Sequence, residues 1–137
     1  MTTLVDANVL IDVWTVASEW ADWSSSAIVA AGEIGELVIN PIIYAEVCVP
    51  FDSPEEADRA MAPHVFKREA LPWQASFPAA KAYQRYRKSG GKRRAPLPDF
   101  YIGAHAEIRR YRLLTRDAVR YRTYFPSVEI IAPDTHP

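Results

Sequence analysis

Apolar residues are distributed along this chain in two rhythms: short unbroken runs, and longer stretches in which they recur every three or four positions. Thr2-Thr-Leu-Val-Asp6 is a short apolar, β-branched run that breaks at Asp6-Ala-Asn, which predicts a buried strand ending in a turn. A helix is predicted from Val9, and another over Ser18–Gly32, where Trp20, Trp23, Ala27, Ile28 and Ala31 keep helical spacing. Glu36–Asn40 predicts a second strand, and Pro41 suits the first turn of a helix running from Ile42 to about Val49. Ser53, Pro54 and the Glu55-Glu56 pair have the chemistry of a helix start, with Ser53 as its cap. A further helix is predicted over Phe77–Lys88, and Ser89–Pro98 is the most loop-like segment. The spacing of Phe100, Ile102, Gly103, Ala104, Ala106 and Ile108 then predicts a largely buried helix with Asp99 near its amino end. Leu113–Thr115 is expected as a third strand, Asp117–Tyr124 as a short helix and Val128–Ile131 as a fourth strand. The alternation predicts a three-layer α/β fold around a small, mainly parallel sheet.

The chain of 137 residues, 49% apolar and 24% charged, is expected to be one globular domain spanning residues 1–137. No run approaches the roughly 18 consecutive apolar residues of a membrane span, and no secretory leader is visible. The single cysteine, Cys48, has no partner for an internal disulfide, so the expected location is the cytoplasm. The net charge of -1 conceals an asymmetry. Residues 1–66 hold eleven acidic residues against one Arg, whereas residues 67–137 hold fifteen basic against six acidic. Twelve of those basic residues fall between Arg85 and Arg122, interleaved with Tyr83, Tyr86, Tyr111 and Tyr121. Arg-rich clustering with aromatic rings is what a polyanion-binding surface requires.

In an open parallel sheet, ligands bind at the carboxyl ends of the strands. Asp6 and Asp117 follow predicted strands, Asp99 starts a helix after a loop, and Glu46 projects from the helix after the second strand. Gathered at one end of the sheet, four carboxylates repel one another, and a hard divalent cation with oxygen ligands relieves that repulsion. Taken singly, each has a structural reading as well: an Asx turn for Asp6, helix caps for Asp99 and Asp117, an ion pair for Glu46. Asp12, Asp22, Glu55 and Glu56 fall on positions expected to be exposed or in a first helical turn. Phosphate-loop, dinucleotide and nucleophile-elbow glycine motifs are absent, and His64, His105 and His136 lack ligand spacing. His105 is expected as a packed core residue, Cys48 as a small buried one.

Val5-Asp6-Ala-Asn8, Asn40-Pro-Ile-Ile-Tyr-Ala-Glu46, Leu97-Pro-Asp99-Phe-Tyr-Ile-Gly-Ala and Leu113-Leu-Thr-Arg-Asp117, in this order, resemble the PIN-domain ribonucleases, and more narrowly the VapC toxins of toxin–antitoxin pairs. The resemblance covers essentially the whole chain. It implies a PIN-like α/β/α fold and a metal-dependent endoribonuclease in which Asp6, Glu46, Asp99 and Asp117 bind Mg²⁺ or Mn²⁺, with Asn8 and Thr115 supporting them. It also implies an RNA substrate, a homodimer and a VapB-like antitoxin partner. Lys92, Arg93, Arg94 and Arg116 are the expected RNA contacts. The segment after Asp117 lacks the second acid of some relatives, which makes Asp117 the weakest ligand of the four. The competing expectation is a PIN-like module that binds RNA or protein without cutting, and the four intact carboxylates argue against it.

Overall fold

Three-residue strands form the centre of the molecule because their residues are covered from both sides. The computed structural model describes residues 1–15, 17–90 and 97–137. Thr3–Val5 (β1), Leu37–Ile39 (β2) and Arg112–Leu114 (β4) are buried at every position, as the central strands of a parallel sheet should be. Phe66–Arg68 (β3) and Ile130–Ile131 (β5) complete a five-stranded, all-parallel sheet in the order β3-β2-β1-β4-β5. Seven helices among the described residues surround it: Ala7–Trp14 (α1), Ala21–Ile34 (α2), Pro41–Cys48 (α3), Pro54–Ala60 (α4), Ser76–Lys88 (α5), Leu97–Arg109 (α6) and Val119–Tyr124 (α7). The result is a three-layer α/β/α fold. None of these helices is long and apolar enough to cross a membrane.

Local chemistry sets the element starts. Asn40 caps α3 by accepting the Ile43 amide, with Pro41 in the first turn, and Ser53 caps α4 by accepting the Glu56 amide, with Pro54 behind it. Four strands were expected and five are present. The additional one, β3, is an edge strand with Phe66 buried and Lys67 and Arg68 exposed, too short to show a period. Leu97 and Pro98, expected in the preceding loop, are the first turn of α6. Tyr83 and Tyr86 turn inward: their rings lie 5.7 and 5.5 Å from that of Phe100, at the junction of α5, α6 and α7.

Gly103 is the closest approach in this packing. A Cβ there would lie 2.3 Å from the ring of Phe125, itself 1% exposed and packed against Phe100. Gly103→Ala is therefore expected to cost about 1–3 kcal/mol through overpacking and to lower the melting temperature by roughly 4–10 °C, measured by thermal unfolding. An unchanged midpoint would show that Phe125 has room to turn aside.

Candidate active site

The sheet order fixes where side chains can converge. From β1 the chain builds outward through β2 and β3, then returns to add β4 on the other side of β1. The crevice between the carboxyl ends of β1 and β4 is thus the topological switch point, the usual place for a ligand in an open α/β sheet. Asp6 leaves β1 there and Thr115 leaves β4 beside it.

Asp6 is buried and acts as the cap of α1, accepting the Ala7 amide on Oδ1 at 2.8 Å. Its Oδ2 accepts from the Thr115 hydroxyl at 2.9 Å, the Tyr121 phenol at 3.2 Å and, at longer range, Asn8 Nδ2 at 3.5 Å. Asn8 also donates to Thr115 Oγ1 and accepts the Arg116 amide, tying the end of β1 to the segment after β4. Asn8 and Thr115 are thus bonded both to Asp6 and to each other. Despite its donors, Asp6 is pushed up to about 6, because burial outweighs the bonds and the charge of Asp99 adds to it.

Glu46 on α3, Asp99 in the first turn of α6 and Asp117 after β4 line the same cleft, of about 170 Å³, together with Asp6, Asn8, Arg120 and Tyr121. Glu46 is an exposed residue at the rim of the cleft, yet desolvation of its carboxyl group, followed by the charges of Asp6 and Asp99, pushes it up to about 7. Burial also raises Asp99, opposed by an ion pair from Arg120 Nη1. Tyr121, 4% exposed, is driven far above its ordinary value by burial and by Asp6, so its phenol remains a donor. The fold thus brings all four carboxylates named by the sequence to one cleft. Among the described residues no three acidic, thiol or imidazole groups yet converge closely enough to enclose an ion, and Arg120 supplies the positive charge.

Arg120 and Tyr121 are site residues that the sequence reading did not single out as such. They follow Asp117 at three and four positions on α7, and nothing in their spacing marks which ring or guanidinium turns inward. Asp12 is a correction: it was expected to be exposed but is 3% exposed, a charge buried on α1. The reason is Arg116, whose Nε and Nη2 reach its carboxylate at 2.6 and 3.0 Å, while Ser18 and Ser24 donate to it as well. Arg116, expected on the RNA path, is held by this ion pair and lies over the Trp20 ring. Lys92, Arg93 and Arg94 fall outside the described residues. Tyr111 donates to Glu69, so with Tyr83, Tyr86 and Tyr121 it belongs to internal packing and not to an exposed stacking surface.

The chain matches the family model for the PIN domain over residues 3–126. Among curated proteins no sequence relative matches it. Its fold is similar to that of VapBC2 from Rickettsia felis, solved bound to a DNA fragment from its promoter, with a TM-score of 0.75 at 12% identity, covering 96% of this chain and 98% of that one. A toxin–antitoxin complex from Klebsiella pneumoniae gives 0.71 at 23% identity, covering 96% and 97%. VapC20 from Mycobacterium tuberculosis, a Sarcin-Ricin loop cleaving toxin, gives 0.67 at 13%, covering 93% and 98%. At such identities the likeness is one of fold.

Proposed function

The chain belongs to the PIN-domain family, and from that premise we propose that it is a metal-dependent endoribonuclease acting as the toxin of a VapBC-type pair. The observation that carries this reading is the meeting of Asp6, Glu46, Asp99 and Asp117 in one cleft at the switch point of the sheet. Two of them, at about 6 and about 7, bear charge that the cleft by itself holds reluctantly. An oxygen-only donor set with raised carboxyl groups fits a hard divalent cation such as Mg²⁺ or Mn²⁺, held by Asp6 and Asp99 first, then Glu46 and Asp117. Such an ion supplies Lewis acidity, easing deprotonation of the attacking water and neutralising charge on the scissile phosphate.

The residues of the chain do the rest. Thr115, Asn8 and Tyr121 fix Asp6 so that its carboxylate need not reorganise when substrate arrives. Glu46, exposed at the rim of the cleft, is placed to take a proton from water on a carboxylate oxygen. Water oxygen bonds to phosphorus, the bond from phosphorus to the 3′ oxygen breaks, and that oxygen receives a proton, leaving 5′-phosphate and 3′-hydroxyl ends. Arg120, once off Asp99, presents its guanidinium to the non-bridging oxygens. The acidic cleft also suits a basic side chain from a VapB-like antitoxin, and the chain works as a homodimer in the cytoplasm in this reading.

Purified protein freed of antitoxin and incubated with total cellular RNA tests it. Mg²⁺ or Mn²⁺ is expected to give cuts at discrete sites with 5′-phosphate ends, and a chelator to abolish them. Absence of cleavage by folded protein would favour the non-cutting binding module. Protons compete with the cation for Asp6 and Glu46, so acidification through pH 7 and then 6 is expected to weaken Mg²⁺ binding by about tenfold or more, read by calorimetry. Affinity that stays flat from pH 8 to 5.5 would remove these two groups from the ligand set.

A further inference from the structure

A second cleft opens on the same edge of the sheet as the acidic one. It has a volume of about 440 Å³ and is lined by Ile39, Asn40, Pro41, Tyr44, Arg68 and Glu69, all at or just beyond the carboxyl ends of β2 and β3. Its distance from the acidic site follows from the register. Thr3 pairs with Leu37 and Leu4 with Val38, which sets Asp6 beside Asn40; Ile39 pairs with Arg68, which sets Asn40 beside Glu69. Asp6, Asn40 and Glu69 form a row across three adjacent strands, so the backbone of Glu69 lies about 10 Å from that of Asp6. A strand crossing the acidic site along this row would pass over this cleft.

The walls have the chemistry of a base platform. The Arg68 guanidinium lies 4.8 Å from the centre of the Tyr44 ring. Both are bonded to Asp58, which accepts from the Tyr44 phenol at 2.6 Å and from Arg68 Nη2 at 2.7 Å. A preformed aromatic and guanidinium surface at the mouth of an otherwise apolar cleft offers stacking to a flat heterocycle at little ordering cost. The far wall is a hydrogen-bond acceptor. Asn40 spends its oxygen on the Ile43 amide, so its Nδ2 donates to His105 Nδ1 at 3.0 Å, and His105 Nε2 in turn donates to Glu69 at 2.6 Å. Burial works against the Glu69 carboxylate, but the bonds from His105 and Tyr111 outweigh it and keep it ionised. A carboxylate has about four lone-pair sites; His105 and Tyr111 take one each and Arg109 Nε stands 3.7 Å from Oε2, which leaves room for an incoming N–H.

We propose that this cleft receives an unpaired nucleobase of the RNA strand bound at the acidic site, stacking it on Tyr44 and Arg68 and accepting from its amino edge with Glu69. The inference rests on the RNA-cleaving reading above and adds to it a specificity pocket that favours adenine, guanine or cytosine over uracil, which has no exocyclic amino group and offers the carboxylate only its N3–H. It also places the pocket beside the cut and not at a remote site.

The test separates binding from cleavage. Fluorescence anisotropy with a labelled single-stranded RNA in the presence of a chelator reads affinity without chemistry. An abasic nucleotide is stepped through the RNA one position at a time, against wild type, Tyr44→Leu and Arg68→Gln. One abasic position is expected to weaken wild-type binding by about 5- to 100-fold, with uracil at that position intermediate. Tyr44→Leu and Arg68→Gln should weaken binding of the intact RNA similarly and lose little further with the abasic one, the non-additivity of a direct contact. Additive losses, or variants that bind like wild type, overturn the proposal. Variants that bind RNA normally but no longer hold a basic antitoxin peptide would place a protein segment there instead, which also overturns it. RNA bound in the expected pattern but never cut when Mg²⁺ is restored would sink the ribonuclease reading and leave the base pocket standing.

Discussion

Asp6→Asn is expected to lower the rate of RNA cleavage at least about 100-fold and to abolish stabilisation by Mg²⁺, while the protein stays folded. Residues that merely support a metal ligand typically cost 10- to 100-fold when removed, so a carboxylate at the centre of the cleft should cost no less. Folding is expected to survive because the charge is itself an expense. Holding Asp6 at about 6 rather than 3.8 corresponds to about 3 kcal/mol of destabilisation above pH 6, and an amide escapes it. The sign follows from the raised value: the folded form binds the extra proton, so stability is lost as pH rises from about 4 to 6 and stays lost above. Asn forfeits one or two of the bonds from Thr115, Tyr121 and Ala7, about 1 kcal/mol each, which offsets part of the gain. Mg²⁺ at a hundred times its dissociation constant should raise the wild-type melting temperature by roughly 10 °C and leave the variant unmoved. A variant that cuts RNA at near the wild-type rate, or still responds fully to Mg²⁺, would remove Asp6 from the centre of the site.

Sequence and structure meet where a property is local. Buried parallel strands announce themselves through short apolar runs, which is why β1, β2 and β4 were legible, and with β1 and β4 the carboxylates just beyond them. Helix caps are equally local, and Asn40-Pro41 and Ser53-Pro54 sit where their chemistry requires. What escaped depends on partners far away in the chain. Asp12 carries a charge on a helix, and the ordinary inference from charge to exposure holds unless a cation arrives from elsewhere; Arg116, 104 positions later, is that cation. The bridge from Asn40 through His105 to Glu69 joins three elements, so reading His105 as a packed core residue found its burial but not its purpose. β3 was missed because one buried residue in three shows neither period. The acids were recognised through their order along the chain, whereas Arg120 and Tyr121 become site residues through the direction in which α7 turns.

Arg120→Gln is expected to move cation affinity and cleavage in opposite directions. The guanidinium of Arg120 pairs with Asp99 and lies 5.6 and 5.9 Å from the rings of Tyr86 and Phe100, a cation already resident in the acidic cleft. A divalent ion reaching Asp99 must displace it, so removal of the positive charge should tighten Mg²⁺ binding by about tenfold, a modest return for one partly exposed ion pair. Cleavage should nonetheless slow by about 100- to 1000-fold, the usual loss when a donor aimed at developing charge is removed. Glutamine keeps the length of the side chain and lacks the fork that spans two phosphate oxygens; Arg120→Lys keeps charge without the fork and should recover cation displacement better than rate. Calorimetry with Mg²⁺ alone and single-turnover cleavage at saturating Mg²⁺ separate the two effects. Weaker binding and slower cleavage together would make Arg120 a scaffold for Asp99, and tighter binding with an undiminished rate would make it only a competitor of the metal. The opposed shifts alone identify a side chain that neutralises the acidic cleft and then turns to the phosphate once a cation has taken its place.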